Sequence, residues 1–198
     1  MATAIRHLRL TALLALLAAF VTAFGTAAGA AETYTVDPVH SSVSFMTPHA
    51  GISFIHGRFN DFSGKVTIDK DDPSKSSFAL TVNVESVDTN NQKRDEHLRA
   101  PDYFNAKQFP TMTFQSTKVK ATDGGYEVTG DLTLHGVTKP VSMKLKGGDK
   151  VVEFPKGTPR VGLVTALTID RSEFDMKTAL ESLGKEVHIT IALEAAKK

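Results

Sequence analysis

The sequence predicts an all-β domain: an antiparallel sheet of about eight strands whose apolar face is buried by closing into a barrel or by stacking as a sandwich. Three observations predict it. Apolar and polar residues alternate with period two through most of the chain beyond residue 31. Glycine-bearing turns separate the alternating runs. No strand–helix–strand rhythm of the kind that builds a parallel sheet is present.

The chain opens on a segment that stands apart from this pattern. Arg6, His7 and Arg9 precede an apolar run over residues 10–24, and Ala28 and Ala30 then form an A-x-A arrangement. This reads as a signal peptide over residues 1–30, cleaved after Ala30 or Ala31, and it leaves residues 31–198 as a single exported domain. The uncharged stretch 10–31 is also just long enough to span a bilayer, but the small residues at its end favour removal.

Within the domain, residues 33–45 and 64–68 read as the first two strands. In "FALTVNVE", Phe78, Leu80, Val82 and Val84 share one face. "TMTFQS" puts Met112 beside Phe114, and "YEVTGDLTLHG" sets Val128, Gly130, Leu132 and Leu134 opposite Glu127, Thr129, Asp131 and Thr133. "VSMKLK", "GLVTALTI" and "VHITIALE" continue the alternation to the C-terminus. His135–Gly136 sits between two runs as a two-residue hairpin turn, and "TDGG" and "KGGD" mark two more turns. Closure into a barrel would remove the sheet edges. The sandwich stays open on pattern alone.

One stretch, residues 90–110, breaks the alternation. It concentrates Arg94, Asp95, Glu96, His97 and Arg99, and then turns aromatic with Tyr103, Phe104 and Phe109. Residues 91–99 predict a short helix with Asn90 or Asn91 as N-cap, stopped at Ala100–Pro101. On it Asp95 and Arg99 are four apart in the favourable acid-first order, and Arg94, His97 and Leu98 share another face. Spacing alone leaves two readings: a solvated connector anchored by Leu98, or the gate of a binding site.

Composition narrows the chemistry. The chain carries 23 basic and 22 acidic residues; without Arg6 and Arg9 the count is 21 against 22, which suggests no nucleic-acid partner. There is no cysteine, so thiol catalysis and cysteine-held metals are excluded. The domain histidines, His40, His49, His56, His97, His135 and His188, fall in no metal-binding spacing, and no nucleophile elbow or phosphate loop occurs. Neither a catalytic residue nor a metal site is indicated.

Several segments, taken in order, resemble the signatures of the YceI-like family of exported lipid-binding proteins. They are "YTVDPVHSSVSF" with His49 beyond it, "GRFNDFSG", "RDEHL", "FPTMTFQST", "GDLTLHGVTKP" and "RSEF", and they run over nearly the whole domain. Each is weak alone; together they are specific. The resemblance implies an eight-stranded antiparallel lipocalin-like β-barrel with short helices in the connection after the third strand, where "RDEHL" falls. It implies a periplasmic, non-enzymatic protein enclosing a polyisoprenoid or similar amphipathic lipid, with no required cofactor and a polyisoprenoid, quinone or lipid amide as its bound guest. The alternatives it leaves are an accessory presenting a quinone to a membrane cytochrome and, behind that, a lipid ester or pyrophosphate hydrolase. A lipid donor or acceptor and a homodimer partner are compatible with it.

Motif and alternation together assign Arg94, His97, His49 and Asp95 to the ligand head group, with Asp95 orienting a cation. They assign Phe45, Leu80, Val82, Phe104, Phe114 and Leu132 to the tail. Two departures from the family pattern stand out. Pro48 is expected to end or bend its strand early, and Asp175 stands where glycine is common.

Overall fold

The structure, a computed structural model, describes residues 31–197, so the expected signal peptide lies outside the described residues. Twelve strands form one antiparallel sheet. They are β1 (Glu32–Val36), β2 (Ser42–His49), β3 (Ser53–Phe59), β4 (Phe62–Ile68), β5 (Ser77–Asn83), β6 (Val87–Asp88), β7 (Thr111–Thr122), β8 (Gly125–Leu134), β9 (Val137–Gly147), β10 (Val152–Glu153), β11 (Pro159–Asp170) and β12 (Glu186–Ala196). Two short helices accompany them, α1 (Gln92–Arg99) and α2 (Leu180–Leu183).

Eight strands close on themselves in the order β1-β4-β5-β7-β8-β9-β11-β12, with β12 returning to β1. The barrel reading holds, and the sandwich does not. Closure is completed by the long β11–β12 ladder, from Arg160↔Ala196 to Asp170↔Glu186. The opposite edge of β12 is shared: β1 takes residues 195–196 and β2 takes residues 188–192.

The predicted strand 33–45 is therefore two strands. Asp37 caps a tight turn at Pro38–His40, accepting a hydrogen bond from the Val39 N–H, and proline at the first position supplies the preset φ. Beyond the turn, β2 continues through Pro48, which stays in register opposite Phe54, so the expected early end at Pro48 does not occur. A proline fits there because β2 runs on to pair with β3 alone, having left β12 at Met46. The hairpin β2–β3 with β6 is a wing flaring from one end of the barrel, and β3 was not foreseen as a separate strand.

The connection from β5 to β7 roofs that end. Asn91 is the N-cap of α1, its side chain accepting from the Arg94 N–H. The helix stops at Ala100, before Pro101, as expected. The Asp95–Arg99 pair expected from spacing is not formed. Asp95 turns inward to Thr89, and Arg99 instead ties the helix to the carbonyls of Glu85 and Val87. Asp95 is buried and already held by Thr89, and Arg99 adds an ion pair to Glu85 at 3.5 Å. Leu98 and Phe104 pack downward onto the core.

The opposite end is filled solid. Tyr34, Val66, Ile68, Val119, Tyr126, Val128 and Val161 are buried there, and the Phe78 and Tyr126 rings lie 5.4 Å apart. Burial, with the hydrogen bond to Glu32, pushes the Tyr34 phenol up to about 12.

Turn chemistry follows the sequence. His135 and Gly136 both take left-handed φ, +52° and +75°, as a two-residue hairpin turn requires. Asp175 likewise sits at φ +59°, which is why glycine suits that corner; aspartate is among the side chains that tolerate it.

Candidate functional site

Between the packed floor and the helix roof lies a cavity of about 190 Å³, counted at the centres of the groups that would fill it. Its wall is the inward face of the barrel strands, read directly from their alternation: Leu80 and Val82 on β5, Met112 and Phe114 on β7, Leu132 on β8, Val141 and Met143 on β9, Leu167 on β11, Ile189 and Ile191 on β12. The polar wall side chains Thr47 and Thr165 donate to the carbonyls of Leu183 and Lys144, so both hydroxyls are committed inside the protein.

All six residues assigned to the tail, Phe45, Leu80, Val82, Phe104, Phe114 and Leu132, line this cavity. Two aromatic positions are set by glycines. A Cβ on Gly57 would lie 2.4 Å from the Phe45 ring, and one on Gly130 would lie 2.5 Å from the Phe114 ring. Phe45, Phe59 and Phe104 then form a ring chain with centroids 5.6 Å apart at each step, joining β2 and β3 to the roof.

The four residues assigned to the head group are not in the cavity wall. Arg94 and Asp95 meet at Thr89. The Thr89 hydroxyl donates to the Asp95 carboxylate at 2.5 Å and accepts from Arg94 Nε at 2.7 Å, while Arg94 Nη2 donates to the Thr89 carbonyl. Asp95 thus orients Arg94 through a shared hydroxyl. Arg94 borders a shallow groove on the outer face, with Met46, Phe54, His56, Arg58 and His188. His97 is largely exposed, 3.8 Å from Asp102 and edge-on to the Tyr103 ring at 4.9 Å. His49 ends β2 in solvent.

Besides Ser44, Thr47, Lys65, Thr113 and Thr165, the polar residues that line the cavity are Arg171 and Tyr103. Arg171 follows β11 directly, is 5% exposed, and wraps its guanidinium in main chain: Nε donates to the Gly184 carbonyl at 3.0 Å, Nη1 to Met176 at 2.9 Å and Nη2 to Thr178 at 2.8 Å. Burial pulls its pKa down, and no carboxylate lies within ion-pair distance of it among the described residues. The Tyr103 hydroxyl, close enough to interact with Arg171 electrostatically, makes no hydrogen bond to a described residue. A signal for Arg171 was present in the sequence: it continues the inward parity of Leu163, Thr165, Leu167 and Ile169.

A second polar cluster lies on the barrel exterior. Asp37, His40 and Glu194 bring ligand-type atoms together, but the Arg160 guanidinium bridges Asp37 and Glu194, and its hydrogen bond is the main reason the Asp37 carboxyl sits well below the usual range. That cluster ties the turn between β1 and β2 to β11 and β12.

An eight-stranded antiparallel barrel with a short helix in the connection between β5 and β7 is the geometry the sequence resemblance implied. The model of the YceI-like domain matches residues 34–195. The chain belongs to the YceI-like family. A UPF0312 protein of Pseudomonas aeruginosa is 40% identical over 173 residues, covering 85% of this chain and 88% of that one. Among solved YceI-like and related barrels, Burkholderia cenocepacia BcnA superimposes with TM-score 0.73 at 27% identity, over 81% of this chain and 99% of the other. A polyisoprenoid binding domain from Saccharophagus degradans superimposes with TM-score 0.63 at 19% identity, over 83% and 98% of the two chains, a likeness of fold alone.

Proposed function

We propose that the protein is a non-enzymatic carrier that holds the tail of a polyisoprenoid, or a similar long-chain amphipathic lipid, inside the barrel after export to the periplasm. The observation that carries this reading is the apolar cavity of about 190 Å³ running from the Phe78 floor to the Tyr103 roof. The description of the Saccharophagus degradans domain as polyisoprenoid binding supports the choice of ligand. At about 0.8 kcal/mol per buried methylene, every ten methylenes enclosed contribute roughly 8 kcal/mol. That is comparable with an association cost of about 4–15 kcal/mol, and far more than the ~1 kcal/mol of one hydrogen bond. Affinity therefore resides in the tail, and selectivity in the few polar groups at the roof.

The roof, α1 with residues 100–110, is the element that must move for the ligand to enter. It is tied to the barrel by a handful of polar bonds from Arg94, Asp95 and Arg99 and by the packing of Leu98 and Phe104.

Organic extraction of gently purified protein, followed by mass spectrometry, tests the proposal. A single isoprenoid or long-chain species in near-stoichiometric amount is the expected result. An empty preparation that also fails to take up added long-chain lipid would overturn it.

A further inference from the structure

Two charged residues line the cavity: Lys65 is exposed, whereas Arg171 is buried and has no carboxylate within ion-pair distance among the described residues. Arg171 carries five N–H donors, and three of them satisfy the carbonyls of Met176, Thr178 and Gly184. Each terminal nitrogen keeps one N–H without an acceptor among the described residues. The carbonyls orient the guanidinium but carry no formal charge, and the Asp170 carboxylate acts on it only through space. Asp170, the neighbouring carboxylate, is engaged by Ser172 and Lys185 instead. A buried cation facing an apolar chamber is costly unless an anion meets it there. The Tyr103 hydroxyl, within electrostatic reach of it and carried by the roof, is a donor without an acceptor among the described residues.

Resting on the carrier reading above, we infer that Arg171 and Tyr103 form a head-group site at the roof end of the cavity, selecting single-tailed lipids with an anionic oxygen head, carboxylate or monophosphate, over neutral heads. The tail would run from that site down the wall toward Phe78. The loop that supplies the three carbonyls also contributes Met176 and Leu183 to the lining, so it frames the head on its apolar side. This places the head at residues joined only by folding, one at the end of β11 and one in the roof connection.

Matched probes separate charge from tail. Delipidated wild-type protein is titrated with oleate against oleamide, and with geranylgeranyl monophosphate against geranylgeraniol, by native mass spectrometry. Each anionic probe is expected to bind about tenfold or more tighter than its neutral partner, as a charge-assisted hydrogen bond implies. Arg171→Gln abolishes that preference, and Arg171→Lys retains most of it. Tyr103→Phe, which leaves the packing of the ring unchanged, weakens the anionic probes more than the neutral ones and covers the case in which Arg171→Gln fails to fold. Preference for oleate over oleamide without preference for the monophosphate identifies the carboxylate as the head; the reverse identifies the phosphate. Equal binding of the matched probes by wild type overturns the head-group site and leaves the lipid carrier standing. Binding of neither member of either pair overturns both.

Discussion

If the tail occupies the cavity, shrinking the cavity should shorten the tail the protein accepts. Val141 and Met143 lie two apart on β9 and present neighbouring side chains to the same stretch of wall. The double substitution Val141→Phe with Met143→Phe adds about seven heavy atoms to that stretch and no polar group. Those atoms would take space that about seven tail atoms would otherwise fill. At about 0.8 kcal/mol each, the lost transfer energy is roughly 5–6 kcal/mol before the wall relaxes, or up to about 10⁴-fold in affinity. Relaxation lowers that figure, and a loss of at least a hundredfold is expected for a twenty-carbon prenyl chain. A ten-carbon chain should bind as it does to wild type. The assay is titration of geranylgeraniol and geraniol by calorimetry, with circular dichroism and thermal melting on the same samples. The melting temperature should hold or rise, because the added rings fill open space rather than overpack a dense core. Unchanged binding of the long chain to a folded double variant would show that the tail lies elsewhere, and the cavity argument would fail.

Four other outcomes follow from the structure. Gly130→Ala places a Cβ 2.5 Å from both the Gln115 carbonyl and the Phe114 ring, and should cost about 1–3 kcal/mol in chemical denaturation. Gly57→Ala meets only side-chain atoms, of Phe45 and Thr89, so it should cost less and reduce ligand uptake by tilting Phe45 into the cavity; an effect confined to stability would refute that placement. Asp37 is held below its ordinary pKa, chiefly by Arg160. The stability it contributes is therefore present above the unfolded value near pH 4 and fades as pH falls through the depressed one, so Asp37→Asn should flatten the acid limb of a stability-against-pH curve. The Tyr34 phenol is raised to about 12, so its contribution is complete below pH ~10 and declines from there toward pH 12; Tyr34→Phe should make alkaline unfolding less steep.

Much of this was legible in the sequence, and the reasons are local. Leu80, Val82, Phe114, Leu132 and Ile189 reach the cavity because an antiparallel strand with one wet face must alternate, so parity assigns the wall without knowledge of the fold. His135–Gly136 could be read as a turn because few residue pairs accept two consecutive left-handed conformations. α1 followed from Asn91 and Pro101. Strand β3 was not legible: in "SFIHGRF" Ser53, Phe54, His56 and Arg58 are all exposed, so its alternation does not mark a buried face, and it belongs to a wing rather than to the barrel. The break at Pro38–His40 was hidden because apolar residues continue on both sides of it.

By itself, the sequence determined the inward and outward faces of the barrel strands, the turns, the capped helix and the family, because each depends on neighbours a few residues away. Only the tertiary structure decided which polar groups meet the cavity. Arg94 and His97 share a helix and a motif with the roof, yet Thr89 captures one and solvent keeps the other. Arg171 and Tyr103, 68 positions apart, come to the same end of the chamber because β11 runs its full length beside β12 and ends under the roof, while the connection from β5 folds back over it. No local rule carries that information. It depends on strand order and register, which fix where the end of one element falls against another.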